Sequence, residues 1–284
     1  MVAVDLALLP VVLLIGYAIG RVDPPSPVVT SPPQVPFGHN HGGGASDASA
    51  LVGGLSVNGS GLTLVPTTTR FTAGVTQPFT FRIIGNSGAP VLKYEVQYEK
   101  PLHLVVVRAD MSGYQHLHPT LAANGTWSVP LLLPTAGVWR AYVDFATTTA
   151  AGRLVAATLG ANLTVIGDYQ PGRPPEPANT AVVDGYTVTL EGTPRVNVFT
   201  PMLVRVSQGG RPVNGLQRYL GAYGHLVILR EADLGYLHLH PDSELVNGAI
   251  RCWLATPSTG RYRAYFEFQV KDKIHTAEFT LVVA

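Results

Sequence analysis

Two stretches decide the reading of this sequence: HLVVVRADMSGYQHLHP, from His103 to Pro119, and HLVILREADLGYLHLHP, from His225 to Pro241. They agree at ten of seventeen positions without a gap. In each, a short apolar run meets a turn-forming segment and then the alternating tripeptide His-Leu-His. Apolar runs of this length bounded by turn residues are strand signals, so each stretch reads as a β-hairpin. Side chains alternate faces along a strand, which puts His116 on one face with His118 and His238 on one face with His240. A loop centred on residues 109–112 sets His103 opposite His118, and the loop of the second copy sets His225 opposite His240. Directly opposed residues share a face. Three imidazoles therefore converge on one face of each hairpin: His103, His116 and His118, then His225, His238 and His240. A register slip of one residue would scatter them, but it would also turn the wrong apolar set toward the core.

The likeness of the two copies runs on past the hairpins. Asn124-Gly125 answers Asn247-Gly248, the Pro134 to Gly137 turn answers Pro257 to Gly260, and WRAYVDF from Trp139 answers YRAYFEF from Tyr262. A series of matches at nearly constant offset is an internal repeat. Around the hairpins lie further strand-length runs: LTLVP, FTFRII, WSVPLLL and NLTVI in the first copy, YTVTL, MLVRVS, RCWLA and FTLVV in the second. No helical period occurs beyond the N-terminus. The expected fold class is all-β: two tandem immunoglobulin-like β-sandwiches over residues 62–166 and 181–284, joined by a Pro-rich linker over 167–180. Tyr142 and Tyr265 read either as the corner tyrosines of such sandwiches or as plain strand aromatics.

The N-terminal part is of another kind. Leu6 to Gly20 is an uncharged apolar run of fifteen residues, and with the residues before it the run nears the roughly 20 needed to span a bilayer. It reads as an uncleaved anchor helix over residues 1–21, with a signal peptide as the other reading. Residues 22–61, rich in Pro, Gly and Ser, bury too little apolar surface to offset ordering entropy and read as a disordered spacer. The expected location is the cell membrane, single-pass, with the following domains extracytoplasmic; secretion is the alternative. With 13% charged residues and a net charge of +1 the chain has no basic patch, which argues against nucleic acid. Its one cysteine, Cys252, excludes an internal disulfide and reads as core.

Neutral imidazole suits copper and zinc, and three imidazoles leave a fourth coordination position open. Copper or zinc is the expected cofactor and the metal ion the expected partner. Structural histidines bonded across the hairpin are the alternative. Asp144 and Glu267 stand at equivalent positions and suit orientation of a ligand histidine, or a surface strand end. Arg108 and Arg230 read as charged strand ends. His39 and His41 read as part of the solvated spacer, and His275 has no counterpart in the first copy.

The stretch LGAYGHLVILREADLGYLHLHP from Leu220 resembles a widespread group of bacterial extracytoplasmic proteins marked by Gly-His-Leu-Val followed by Leu-His-x-His-Pro. The group is described as heavy-metal- or copper-associated, secreted or membrane-bound. The resemblance covers most of residues 180–270 and, more loosely, 70–145; in the first copy Leu102 replaces Gly224. It implies an extracytoplasmic location and association with copper or another heavy metal; the leading expectation from the histidine pattern is a non-enzymatic copper-binding protein of chaperone, buffer or sensor type, with one three-histidine site per repeat. Two other classes stay open. One is a structural or adhesion module of tandem sandwiches without metal. The other is a cupin-like metalloenzyme, since His238-x-His240 followed by Glu244 matches the core of a cupin motif; Ala122 at the first copy's equivalent position counts against it.

Overall fold

The computed structural model describes residues 52–149, 152–237 and 239–284. Every regular element among them is a β-strand. The apolar segment 1–21 and the spacer up to residue 51 lie outside the described residues, and the anchor expectation lies there with them.

Each copy is a two-sheet sandwich of the expected immunoglobulin-like class. In the first, one sheet holds, in spatial order, Asn58–Gly59, Leu62–Pro66, Thr76–Gly85, Thr126–Leu132 and Thr120–Leu121. The facing sheet holds Arg70–Phe71, Leu154–Val165, Gly137–Thr148, Leu102–Arg108 and Gln115–Leu117. The second copy repeats the plan, with Gly260–Val270 at the centre of the sheet that carries His225–Arg230 and Tyr236–Leu237. Between the sheets lie two separate apolar cores, one around Phe79, Phe81, Trp127 and Trp139, the other around Ile250, Tyr262, Phe266 and Phe268.

The hairpins pair in the register that the loops dictate. Leu104 opposes Leu117 and Val105 opposes His116, while Ile228 opposes Leu237. Period two then sorts each strand. Leu102, Leu104 and Val106 enter the first core and Leu226 and Ile228 the second. The alternate set, Val105, Val107, Val227 and Leu229, forms a third buried cluster with Met111, Tyr142, Tyr236 and Tyr265. This third cluster draws on both copies, so the histidine-bearing sheets face each other. A strand that is apolar at every position is what burial on both faces demands.

The tyrosines differ from the corner reading. Tyr142 Oη donates to the Leu234 carbonyl at 2.6 Å, and Tyr265 Oη donates to the Met111 carbonyl at 2.5 Å. Each hydroxyl therefore binds the hairpin turn of the opposite copy, at a residue held at positive φ (65° for Met111, 62° for Leu234). A buried phenol needs a partner, and here the neighbouring repeat supplies it.

The spacer ends earlier than its composition indicates. Val52–Gly53 pairs with Tyr236 and Leu237, adding an edge strand to the second repeat's sheet. The chain then crosses to the first repeat, where the Gly54 N–H donates to the Thr158 carbonyl at 2.8 Å. A Cβ on Gly53 would lie 2.6 Å from the Thr158 Cβ, and one on Gly54 2.3 Å from the Tyr142 ring. These glycines permit close backbone approach, which composition alone makes indistinguishable from flexibility. The 167–180 linker is likewise pinned: the Gly172 N–H donates to Asp110 at 2.7 Å, and Arg261 donates to the Pro175 carbonyl at 3.0 Å.

Candidate functional site: a histidine centre between the repeats

The face that carries the third cluster also carries the histidines. His103 stands opposite Asp144, and His225 stands opposite Glu267. His116 lies on the edge strand Gln115–Leu117, with His118 one residue past its end, and the His116 ring has no solvent exposure. The ring centroids of His103, His116 and His118 are 4.8–5.2 Å apart. One ring nitrogen from each lies within 4.8 Å of the other two, the spacing of a group able to hold a metal ion.

The second copy was expected to build its own separate cluster. The structure instead brings His225 into the first, its ring 4.8 Å from that of His116 and 5.7 Å from that of His103, nearly parallel to both. The cause is the face-to-face packing, which the hairpin pattern does not encode. His238 lies outside the described residues. His240 is placed by its backbone, which pairs with Trp253 in the outer sheet and so has left the hairpin ladder.

A hydrogen-bonded chain runs through the centre. His103 Nε2 contacts the Gln97 carbonyl at 3.0 Å, His103 Nδ1 contacts His116 Nε2 at 3.0 Å, and His116 Nδ1 contacts Glu267 Oε2 at 2.7 Å. The last contact joins the two repeats. His118 Nε2 is buried with no hydrogen-bond partner among the described residues. Burial, followed by the charges of His116, His103 and Lys100, lowers the His118 pKa to about 3, which keeps this ring neutral at physiological pH. Asp144 accepts from Thr158 Oγ1 at 2.8 Å and is buried, as Glu267 is.

Sequence reasoning missed Gln97 and Tyr98. Tyr98 and Glu99 occupy positive φ (47° and 63°) within a turn closed by reciprocal Gln97–Lys100 backbone bonds. Both central residues at positive φ is the demand of a type I′ turn, which Asn-Gly usually meets. Neither Tyr nor Glu signals it. The turn delivers the Gln97 carbonyl to His103 and sets the Tyr98 ring 6.1–6.2 Å from those of His103 and His225. The second copy's turn, at Leu220 and Gly221, also has positive φ (57° and 80°) and carries a glycine. The weak signal lay in aligning YEKP with LGAY across the repeat.

Other candidates fall away from the centre. Arg108 and Arg230 are hairpin braces, paired with Asp110 and Asp233. Glu244, the cupin-motif acid, is 74% exposed and paired with Arg218 at the surface, where it serves no histidine. Cys252 is fully buried in the second core. His275 bonds Asp184, in the turn between Thr180–Val183 and Tyr186–Glu191, at 2.7 Å.

A family described as a domain of unknown function, DUF8832, matches residues 56–162 and, a second time, residues 181–284. The chain belongs to this family. The first DUF8832 match begins at residue 56, inside the stretch that composition assigns to the spacer. No curated protein matches the sequence. Among solved structures, the DUF8832 pair is similar to FdeC, an Escherichia coli adhesin, at 19% identity over 81% of this chain and 65% of that one, with a TM-score of 0.28. It is similar to invasin, a bacterial integrin-binding protein, at 13% identity over 81% of this chain and 41% of that one, TM-score 0.25. It is also similar to the Ig1-2 module of a Drosophila receptor tyrosine phosphatase, DLAR, at 11% identity over 78% and 98%, TM-score 0.20. The chain thus spans less than two thirds of the FdeC and invasin chains.

Proposed function

We propose that the chain is a non-enzymatic structural or adhesion module: two sandwiches joined as one stiff body and displayed outside a membrane by the N-terminal apolar segment. The observation that supports this is the third buried cluster, to which both repeats contribute. Tandem domains on a spacer move independently by default unless their interface is large and apolar. Here four aliphatic residues and three tyrosines at 3% exposure or less, with two reciprocal tyrosine bonds, oppose such motion. A stiff unit transmits force and holds a surface at a fixed distance.

Small-angle X-ray scattering and a cell-attachment assay test the reading together. One rigid body is expected to fit the scattering, and cells displaying the chain are expected to attach more strongly to neighbouring cells or matrix than cells lacking it. Two independently moving bodies, or equal attachment, would remove it.

The metal chaperone, buffer or sensor expected from the histidine pattern is the second reading, and convergence of three imidazoles favours it. Burial of most of the centre, with His118 half-buried, weighs against it. His103, His225 and Glu267 are 3%, 7% and 5% exposed, whereas delivery requires an accessible ion.

A further inference from the structure

The donor count in the histidine chain does not close with two neutral rings. Three contacts link the Gln97 carbonyl, His103, His116 and Glu267 in series. A carbonyl and a carboxylate, both acceptors, stand at the ends. Each neutral imidazole has one N–H and one lone pair. If His103 donates through Nε2 to Gln97 and His116 donates through Nδ1 to Glu267, then His103 Nδ1 and His116 Nε2 present two lone pairs to each other at 3.0 Å. Two lone pairs at that distance repel unless something positive lies between or beside them. An added proton is one answer and a metal ion is the other. The third ring favours the ion: His118 Nε2 is buried with no hydrogen-bond partner among the described residues, and one nitrogen of the His118 ring lies within 4.8 Å of one from each of the other two rings.

We propose that His103 Nδ1, His116 Nε2 and His118 Nε2 hold a single zinc or copper ion that acts as a structural clamp between the two repeats. Metal–nitrogen bonds of about 2.0–2.1 Å place tetrahedral ligand atoms about 3.3 Å apart, so the pair already at 3.0 Å is close to its bound spacing. The outer nitrogens of His103 and His116 are held by a carbonyl and a carboxylate, the arrangement that fixes tautomer and ring orientation in metal-binding histidines. The Glu267 carboxylate belongs to the second repeat while the ligands belong to the first, and the His225 ring covers His116 from the same side. Ion binding and docking of the repeats are therefore linked. The clamp deepens the rigid-module reading and rests on it, because it requires the repeats to stay docked. It also departs from one site per repeat: one ion serves the pair.

The test uses the full chain with His39→Ala and His41→Ala, to silence the spacer, stripped by chelator and titrated calorimetrically with zinc chloride and with copper(II) chloride. One ion per chain is expected, with affinity lowered at least 100-fold by His118→Ala and 10–100-fold by Glu267→Gln. Circular dichroism and the metal-free unfolding midpoint of each variant separate loss of a ligand from loss of fold. Hydrogen exchange should slow on metal addition at residues 105–107 and 227–229 together. Two equivalent ions per chain, an affinity indifferent to Glu267→Gln, or no binding at 100 μM of either ion overturns the clamp. Scattering from the metal-free chain stands apart: a single rigid body with no metal binding removes the clamp and keeps the module, whereas two mobile bodies remove both.

Discussion

Replacing Tyr265 by Phe deletes one oxygen atom and tests whether the repeats are one unit. The Tyr265 side chain is fully buried, its ring stacked on Tyr114 at a centroid distance of 4.2 Å and 6° from parallel. Phenylalanine keeps that stacking and the apolar contact. What is lost is the bond to the Met111 carbonyl, 154 residues away in the chain, at the hairpin turn of the other repeat. Leaving a buried acceptor unsatisfied costs about 1–3 kcal/mol. A carbonyl has a second lone pair, which points to the lower half, about 1–2 kcal/mol. For a cooperative unit of this size each kcal/mol lowers Tm by about 2–4 °C, so a fall of about 2–8 °C is expected. Tyr142→Phe removes the mirror-image bond to Leu234 and should cost the same. Urea unfolding followed by tryptophan fluorescence reads the result by repeat, because Trp127 and Trp139 lie in the first copy and Trp253 in the second. In a Trp253→Phe background only the first repeat reports, yet Tyr265→Phe should still move its midpoint. An unmoved first-repeat midpoint, or a total loss under about 0.3 kcal/mol, would refute the argument that these hydroxyls weld the repeats.

Two further outcomes follow from the same structure. Burial alone would raise the Asp110 pKa, but hydrogen bonds from Arg108, Ser112 and the Gly172 N–H outweigh it and hold the carboxyl well below its ordinary range. A depressed pKa adds stability that is complete above the unfolded value of about 3.9 and is lost as pH falls toward the folded value; Asp110→Asn should therefore unfold more easily than wild type at pH 7, with the gap narrowing from pH 4 to pH 2 in matched denaturation curves. Burial pushes the Cys252 thiol up to about 12, so a thiol reagent at pH 8 should label the unfolded chain fully and the native chain at the rate of global unfolding, and prompt native labelling would contradict the packing of the second core.

Much of the local plan was legible. The hairpin register could be worked out because loop length and apolar alternation both constrain it, and Leu104 opposite Leu117 satisfies both. The convergence of His103, His116 and His118 follows from that register. Tyr98 and Glu99 were not legible, because a turn of two non-glycine residues at positive φ lacks the composition that announces one. The 52–61 segment was misread for the opposite reason: Gly53 and Gly54 look like spacer residues but are sites of close contact with Thr158 and Tyr142.

The amino-acid sequence by itself determined the repeat, the strands, the faces and the grouping of His103, His116 and His118 on the first hairpin. All of these follow from period-two geometry over short distances along the chain. Only tertiary structure decided what covers the second face of the His103 and His225 strands. An apolar run says that both faces are buried but not against what, and two identical faces are equally compatible with separate domains or with each other. Packing the copies face to face gave the His116 ring the Glu267 carboxylate and gave Tyr142 and Tyr265 their carbonyl partners. These contacts span 92–154 residues of chain, and no local periodicity reaches that far.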